Sequence, residues 1–149
     1  MISPEEHKAW FEKLKGQKTA TYMVFEFHAK PVGLIYFTDI DLKNSKCRWG
    51  FYLGQEDLPR GTGTAMGFLG IEYVFEKLGI RKLCGEAFAF NRASIEFHKK
   101  LGFDQEGTFV KHILRNDIFE DVILLALFNQ SWQEKKQTLE KIVFSQGEV

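Results

Sequence analysis

The spacing of apolar and polar residues predicts a single α+β domain. Six segments are rich in β-branched and aromatic residues and are expected to be strands: TYMVFEF, VGLIYFTDIDL, CRWGFYLG, RKLCGEAFAF, FDQEGTFVKHIL and IFEDVILLALF. The turn sequences HAKP and KNSK separate the first three, which predicts an antiparallel meander. Arg115-Asn116-Asp117 lies between the last two, which predicts a hairpin.

Four further segments have helical signals. The first begins with Ser3 as N-cap and Pro4 at the first helical position, and another runs from Asn91 as N-cap to Gly102 beyond its C-terminus. The helix after the meander is expected to bury Ala65, Phe68, Ile71, Phe75 and Leu78. Ser131 is expected to cap the last helix, which would dock through Trp132, Leu139, Ile142 and Val143. The predicted order is α-βββ-α-β-α-ββ-α, one domain over residues 1–149.

Composition narrows the class of protein. Lys and Arg number 20, as do Asp and Glu, so the zero net charge argues against a nucleic-acid partner. No apolar run approaches the ~20 residues that a membrane span needs, and no leader precedes the first helix, so a cytoplasmic protein is expected. Cys47 and Cys84 form no metal-ligand spacing, which predicts buried free thiols and no metal site.

The segment LPRGTGTAMGFLGIEYVFEKLG, Leu58–Gly79, has glycines where a helix should begin. A helix N-terminus offers unpaired N–H groups and a partial positive charge, and glycines let an anion approach them closely. Arg60 adds a full charge, and Thr62 and Thr64 add hydroxyl donors. The segment therefore predicts a phosphate or pyrophosphate cradle. The structural alternative is that the glycines merely allow close packing of the helix on a strand.

Two common phosphate motifs fit this segment badly. A P-loop needs Lys and Ser or Thr after its last glycine, but Phe68 follows Gly67. A dinucleotide fingerprint needs a glycine where Met66 stands, and its fold is parallel, unlike the predicted meander.

A third motif fits, and a second stretch supports it. The segment resembles the acetyl-coenzyme A loop of the GNAT acetyltransferases, Gln/Arg-x-x-Gly-x-Gly/Ala, through Arg60, Gly63 and Ala65. AFNRASIEFHKKLGF resembles that family's second motif through Asn91, Ser94, Lys100, Gly102 and Phe103. Residues 20–130 follow the family's order of strands and helices. The resemblance implies a GNAT fold, with a mixed, mostly antiparallel sheet, flanking helices and a V-shaped cleft, and acetyl-CoA as co-substrate.

The resemblance also implies where the donor binds. The V would open between CRWGFYLG and KLCGEAFAF. Backbone groups of Phe51, Tyr52 and Leu53 would bind the pantetheine and face the thioester carbonyl. The side chain of Asn91 would reach the pantetheine arm. The pyrophosphate would lie on the backbone N–H groups of Arg60, Gly61, Thr62, Gly63, Thr64 and Ala65.

Two catalytic residues are expected. His98 stands where the family commonly has a tyrosine, so it is the candidate proton donor to the departing thiolate; an unused surface histidine is the alternative. Glu86 is the favoured base because its strand lines the V. Asp39 and Asp41 are alternatives, because they end a neighbouring strand.

A narrower resemblance concerns the acceptor. GTGTAMGFLGIEYVFEKLGIRKL, AFNRASIEFHKKLGF and EDVILLALFNQSW resemble the PseH-type branch, which acetylates the 4-amino group of a UDP-linked amino-dideoxy sugar in pseudaminic acid synthesis. Ribosomal-protein or polyamine acetylation and a non-catalytic acyl-CoA-binding module are the alternatives. The family's fold normally opens with one more strand and helix, so the chain is expected to be N-terminally short. A homo-oligomer contacting through the Tyr22–Phe27 strand edge is therefore expected as well.

Overall fold

The computed structural model describes residues 20–54 and 58–147. Their six strands and three helices follow the predicted order, with these bounds: β1 Thr21–Phe27, β2 Lys30–Asp41, β3 Lys46–Leu53, α1 Thr62–Glu76, β4 Lys82–Phe88, α2 Arg92–Lys100, β5 Asp104–Arg115, β6 Ile118–Phe128 and α3 Asn129–Gly147. The predicted helix after Ser3 and the predicted shortness at that end concern residues outside these ranges. Ser131 does not cap α3, because the helix already begins at Asn129.

The strands form one sheet in the order β1-β2-β3-β4-β6-β5. Only β3 and β4 are parallel neighbours, and every other pair in the described sheet is antiparallel. This confirms the predicted α+β class and GNAT-type mixed sheet. Asn116 and Asp117 both have positive φ, of 50° and 65°, between β5 and β6. Positive φ at both central residues suits a tight hairpin turn, because its twist matches that of the strands.

The parallel pair separates soon after it forms. Its register runs through Lys46–Lys82, Cys47–Leu83 and Arg48–Cys84, and no described pairing follows. Yet β3 continues to Leu53 and β4 to Phe88. The two strands therefore diverge from Trp49 and Gly85 onward, which is the predicted V-shaped opening.

The core lies between one face of the sheet and the helices. Phe68, Ile71 and Phe75 of α1 are buried as predicted, whereas Ala65 and Leu78 are only partly buried at the margin of the cluster. Trp132 of α3 is fully buried, with ring centroids 5.8 Å from Phe68 and 5.6 Å from Phe75. The last helix thus docks on α1 through its first turn.

The other three residues predicted to dock α3 are buried to different extents. Val143 is buried and Leu139 is partly buried, but Ile142 is 43% exposed because it lies on the outer side of the helix. None of the helices within the described ranges has the length and apolar character needed to cross a membrane.

Candidate active site

The site begins where β3 and β4 separate. Trp49 follows the last paired residue of β3, and its indole Nε1–H donates to His98 Nε2 at 3.0 Å. His98 Nδ1 lies 2.8 Å from the carbonyl oxygen of Ser94, one turn earlier in α2. A carbonyl only accepts, so Nδ1 carries the ring proton and Nε2 is the acceptor. The two contacts together fix one neutral tautomer of His98.

His98 therefore does not fit the expected role of proton donor. Its side chain is 2% exposed, and burial lowers its pKa, although the bond to Ser94 acts in the opposite direction. Nε2 has no proton to give, and adding one would set it against the indole N–H of Trp49. The residue was correctly placed beside the V, but both ring nitrogens are already used by the protein.

The start of α1 is open, as a cradle requires. Gly61 is the N-cap, with φ of 93° in the left-handed region that glycine adopts most easily. A Cβ there would meet no described atom within 4 Å. At Gly63 it would meet only Leu53 Cδ2, at 3.6 Å. Space for a ligand therefore exists beside both glycines.

Hydrogen bonds within this turn reduce the number of N–H and O–H groups that could donate to a bound anion. The Thr62 hydroxyl donates to Pro59 O at 2.6 Å, and the Thr62 N–H points to the same oxygen at 3.2 Å. Ala65 N–H donates to Gly61 O at 3.0 Å, the first bond of the helix. Thr62 is thus not a hydroxyl donor for a ligand, contrary to expectation, because it closes the turn. The N–H groups of Gly63 and Thr64 donate to no group that the structure describes.

Two later glycines of α1 are surrounded by side chains. A Cβ at Gly67 would lie 2.8 Å from Leu101 Cδ1 and 2.9 Å from Phe97 Cζ. At Gly70 it would lie 2.7 Å from Ile35 Cδ1. Real Cβ atoms do not approach so closely, so a larger residue at either position would force these packed side chains to shift.

Of the other residues expected to contact the donor, those of β3 lie along the V. Phe51 points inward, with its ring centroid 4.9 Å from Phe97, while Tyr52 and Leu53 are 64% and 36% exposed. Beyond Arg48, the edge of β3 that faces β4 has no strand partner among the described residues. Asn91 caps α2, where its Oδ1 accepts from Ser94 N–H at 3.1 Å, so its amide NH₂ is the part available to a ligand.

Two of the three acidic candidates contact the same arginine. Arg48 Nη2 lies 2.8 Å from Glu86 Oε2, and Nη1 lies 3.4 Å from Asp39 Oδ2. Asp39 lies in a bulge of β2, where its φ is 50° and its side chain is exposed. Asp41 instead closes the next turn through two bonds to Asn44, which lower its pKa. The structure therefore brings Glu86 and Asp39 together and assigns Asp41 to the turn.

A cleft of about 460 Å³ lies beside this cluster and is lined by Asp39, Ile40, Asp41, Lys46, Cys47, Arg48 and Cys84. Cys47 is a buried free thiol as predicted, whereas Cys84 is only half-buried. Burial raises the pKa of both thiols, that of Cys47 to about 12, so both are neutral. Within residues 20–54 and 58–147, no three His, Cys, Asp or Glu side chains are grouped closely enough to hold a metal ion.

One further cluster lies at the β4 end of the opening. The rings of Phe88 and Phe90 stack with centroids 5.1 Å apart and 12° between their planes. The Arg115 guanidinium lies 5.0 Å from the Phe90 centroid, and Phe90 remains 49% exposed. From the sequence alone, Arg115 is predicted only to be a turn residue. Its position beside the V depends on the pairing of β6 with β4, which no local signal in the sequence predicts.

Comparison with known proteins places these features in a family. Residues 1–104 match the Acetyltransferase (GNAT) domain. Over 133 residues the chain is 28% identical to the SPbeta prophage-derived uncharacterized N-acetyltransferase YokL of Bacillus subtilis, covering 88% of this chain and 74% of that one. It is 23% identical over 115 residues to spermidine N(1)-acetyltransferase of Escherichia coli, covering 77% of this chain and 62% of the relative.

Solved structures agree on the fold. A spermidine N-acetyltransferase from Vibrio cholerae in complex with CoA and spermine superposes with a TM-score of 0.75 at 16% identity, covering 89% of this chain and 79% of that one. A dodecameric structure of spermidine N-acetyltransferase from the same organism gives 0.72 at 18% identity, covering 90% and 77%.

Proposed function

Because the chain belongs to the GNAT acetyltransferase family, and is therefore an N-acetyltransferase with acetyl-CoA as its donor, we propose that it binds acetyl-CoA across the opening between β3 and β4. The acceptor would be a primary amine that approaches the sheet face carrying Glu86. The divergence of β3 and β4 beside an open helix N-terminus is the observation that supports this proposal best.

The pyrophosphate would be held at the start of α1. The N–H groups of Gly63 and Thr64 are available there, the helix dipole favours an anion, and Arg60 is exposed beside them. The pantetheine would run along the unpaired edge of β3 and meet the amide NH₂ of Asn91. Extended backbone at that edge offers N–H groups that can polarise the thioester carbonyl.

The reaction needs one base and a leaving group that can depart without first being protonated. The neutral amine attacks the thioester carbon, a C–N bond forms, and the C–S bond breaks with its electron pair going to sulfur. Glu86 accepts the proton that the amine nitrogen loses, directly or through water. An alkyl thiol has a pKa of about 8.5, so the sulfur can leave as a thiolate without a protein acid. This route does not require His98 to donate a proton.

For the acceptor, we retain the 4-amino group of a UDP-linked amino-dideoxy sugar. The Phe88–Phe90 stack with Arg115 is suited to such a molecule, because aromatic faces stack on a base and a guanidinium pairs with phosphate. Of the nearby carboxylates, Glu86 and Asp39 are both paired with Arg48. That pairing disfavours a polycation at the same place.

A polyamine is the second candidate acceptor. It is supported by the similarity to proteins named spermidine acetyltransferases, one of them solved with spermine. The acidic residues beside Arg48 would serve a polyamine only if they exchanged that arginine for the substrate. A ribosomal-protein N-terminus and simple acyl-CoA binding remain outcomes of the test below.

The test measures CoA thiol release against the 4-amino UDP-sugar, spermidine and a ribosomal-protein N-terminal peptide. Glu86→Gln should lower kcat about 10²-fold with acetyl-CoA affinity unchanged, since general base catalysis contributes at least that much. Glu96→Gln, on the exposed surface of α2, is the matched control. An unchanged rate in Glu86→Gln would remove Glu86 from the mechanism. Binding of CoA without turnover of any amine would favour the binding module instead.

The same panel separates the two leading acceptors. Arg115→Ala should raise KM for the UDP-sugar about tenfold and leave KM for spermidine unchanged, because only the sugar nucleotide carries phosphate. If spermidine alone is acetylated, the amino-sugar assignment is wrong and the family assignment stands.

We also propose that the protein acts in the cytoplasm as a homo-oligomer. The similar Vibrio cholerae structure is described as dodecameric. In this chain the β5–β6 hairpin exposes apolar side chains, among them Val110 at 69%, Leu114 at 58% and Phe119 at 59%. Exposed apolar patches of this kind mark association surfaces. Sedimentation at micromolar concentration tests association, and Leu114→Glu with crosslinking at Tyr22 distinguishes the hairpin from the predicted β1 edge.

A further inference from the structure

We infer that Trp49 and His98 form a hydrogen-bonded brace at the apex of the V, where β3 and β4 begin to separate, and that His98 thereby positions the strand that faces the thioester. This inference rests on the proposed location of acetyl-CoA between β3 and β4. His98 is a positioning residue in this account, because it acts through β3 and does not touch the reacting atoms.

The location of the brace is its first support. Trp49 and Gly85 are the first residues of β3 and β4 beyond their last paired position. A Cβ at Gly85 would lie 2.7 Å from His98 Nε2 and 3.1 Å from Trp49 Nε1. The imidazole and the indole N–H therefore occupy the space directly over Gly85. Only glycine at this point of β4 leaves room for them.

The connections of the brace are its second support. Trp49 belongs to β3. His98 belongs to α2, and its imidazole ring lies against β4 at Gly85. Their hydrogen bond thus joins the two sides of the opening. His98 is tied to its own helix through Ser94 O, so the imidazole has both nitrogens fixed and cannot rotate freely. Such a pair sets how far β3 stands from β4.

Packing around the brace transmits its position to the site. The His98 ring lies 4.9 Å from Phe103, edge to face, and 5.7 Å from Phe51. Trp49 stacks on Phe103 with centroids 5.4 Å apart. Phe51 belongs to the part of β3 expected to face the thioester, so its backbone follows the brace. No charged group shifts the pKa of His98, which is lowered by burial alone.

The brace makes a spectroscopic prediction for the unaltered protein. Long-range ¹H–¹⁵N spectra at pH 7.5 should show His98 with Nδ1 protonated and Nε2 unprotonated. A protonated Nε2, or an imidazolium, would overturn the inference, because Nε2 could not then accept from Trp49. This measurement does not depend on any variant folding correctly.

Kinetic measurements on variants then distinguish a positioning role of His98 from a role as general acid. His98→Phe and Trp49→Phe should each raise KM for acetyl-CoA about tenfold, and the double variant should be no worse than either, since the two residues act as one unit. His98→Gln, whose side-chain oxygen can accept from Trp49, should recover most of the loss. His112→Phe, on the exposed surface of β5, is the matched control.

An acid would behave differently in the same experiment. His98→Phe and His98→Gln would both lower kcat by about 10²-fold, KM would hardly change, and Trp49→Phe would be nearly normal. That pattern would overturn the brace. It would leave the proposed function standing, because turnover of an amine by the unaltered protein tests the function separately.

Discussion

The two ends of the glycine-rich stretch in α1 make a useful comparison. At Gly61 and Gly63 an added Cβ would meet open space or a single leucine methyl at 3.6 Å, whereas at Gly67 and Gly70 it would meet buried side chains at under 3 Å. The residues are of one type, within one helix and ten positions. Their neighbours differ completely.

The difference shows that the two interpretations of this stretch apply to different glycines. The first pair leaves the helix N-terminus accessible, which is what an anion site requires. The second pair lets α1 approach α2 and the sheet closely, so it serves packing. The structural alternative weighed against the cradle is therefore true of Gly67 and Gly70, and the cradle proposal rests on Gly61 and Gly63 alone.

The largest effect is expected from a charge at the open end. Gly63→Asp should weaken CoA binding by at least about 100-fold, because a carboxylate would stand where the pyrophosphate is expected and like charges at an interface cost several kcal/mol. The melting temperature should not fall, since an acidic residue in the first helical turn is favourable. Calorimetric titration with CoA measures the first quantity. Unchanged affinity would disprove the cradle.

A smaller effect is expected from one methyl group at the packed end. Gly67→Ala should lower the free energy of unfolding by up to about 2 kcal/mol, because overpacking costs about 1–3 kcal/mol and alanine's helix propensity returns about 1. Urea unfolding measures this change. Affinity for CoA should remain within about twofold. A stabilised Gly67→Ala variant would remove the distinction between the two ends.

Adding the same methyl group at Gly63 should change the stability least. Gly63→Ala is expected to leave the free energy of unfolding unchanged or to raise it by up to about 1 kcal/mol, since the added carbon has room. It should weaken CoA binding by less than about tenfold, through closer contact with the ligand. Stability and affinity would thus move in opposite directions. A loss of stability equal to that of Gly67→Ala would contradict the comparison.

Local patterns predicted the fold well because strands and turns leave local marks. The Arg115-Asn116-Asp117 hairpin, the Asn91 cap and the left-handed Gly102 are all present. A hydrogen bond between two side chains that are far apart in the sequence leaves no such local mark. His98 was placed beside the V by its register, but its partner Trp49 is 49 positions away, and only the fold reveals that both imidazole nitrogens are used.

The acceptor was predicted less well than the donor for the same reason. The comparisons support the GNAT family and not the narrower PseH-type resemblance, since the relatives described above are named for other acceptors or left uncharacterized. The motifs that carried the narrower resemblance cover α1 and the start of β4, α2, and most of β6 with the first turn of α3. Arg115 and Glu86, which would recognise or activate an acceptor, belong to no motif. Family-wide patterns therefore identify the donor better than the acceptor.

The fixed tautomer of His98 has a consequence for acid tolerance. Its pKa in the folded protein is lowered from the ordinary value of about 6.5, so the unfolded chain binds a proton more readily than the folded one. The stabilisation is complete above about pH 6.5 and is lost as the pH falls through the folded value. Between pH 8 and pH 5 the melting temperature should fall less steeply in His98→Gln than in the unaltered protein, because glutamine takes up no proton. The buried neutral imidazole of His98 thus makes one contribution to the stability of this fold that acid removes.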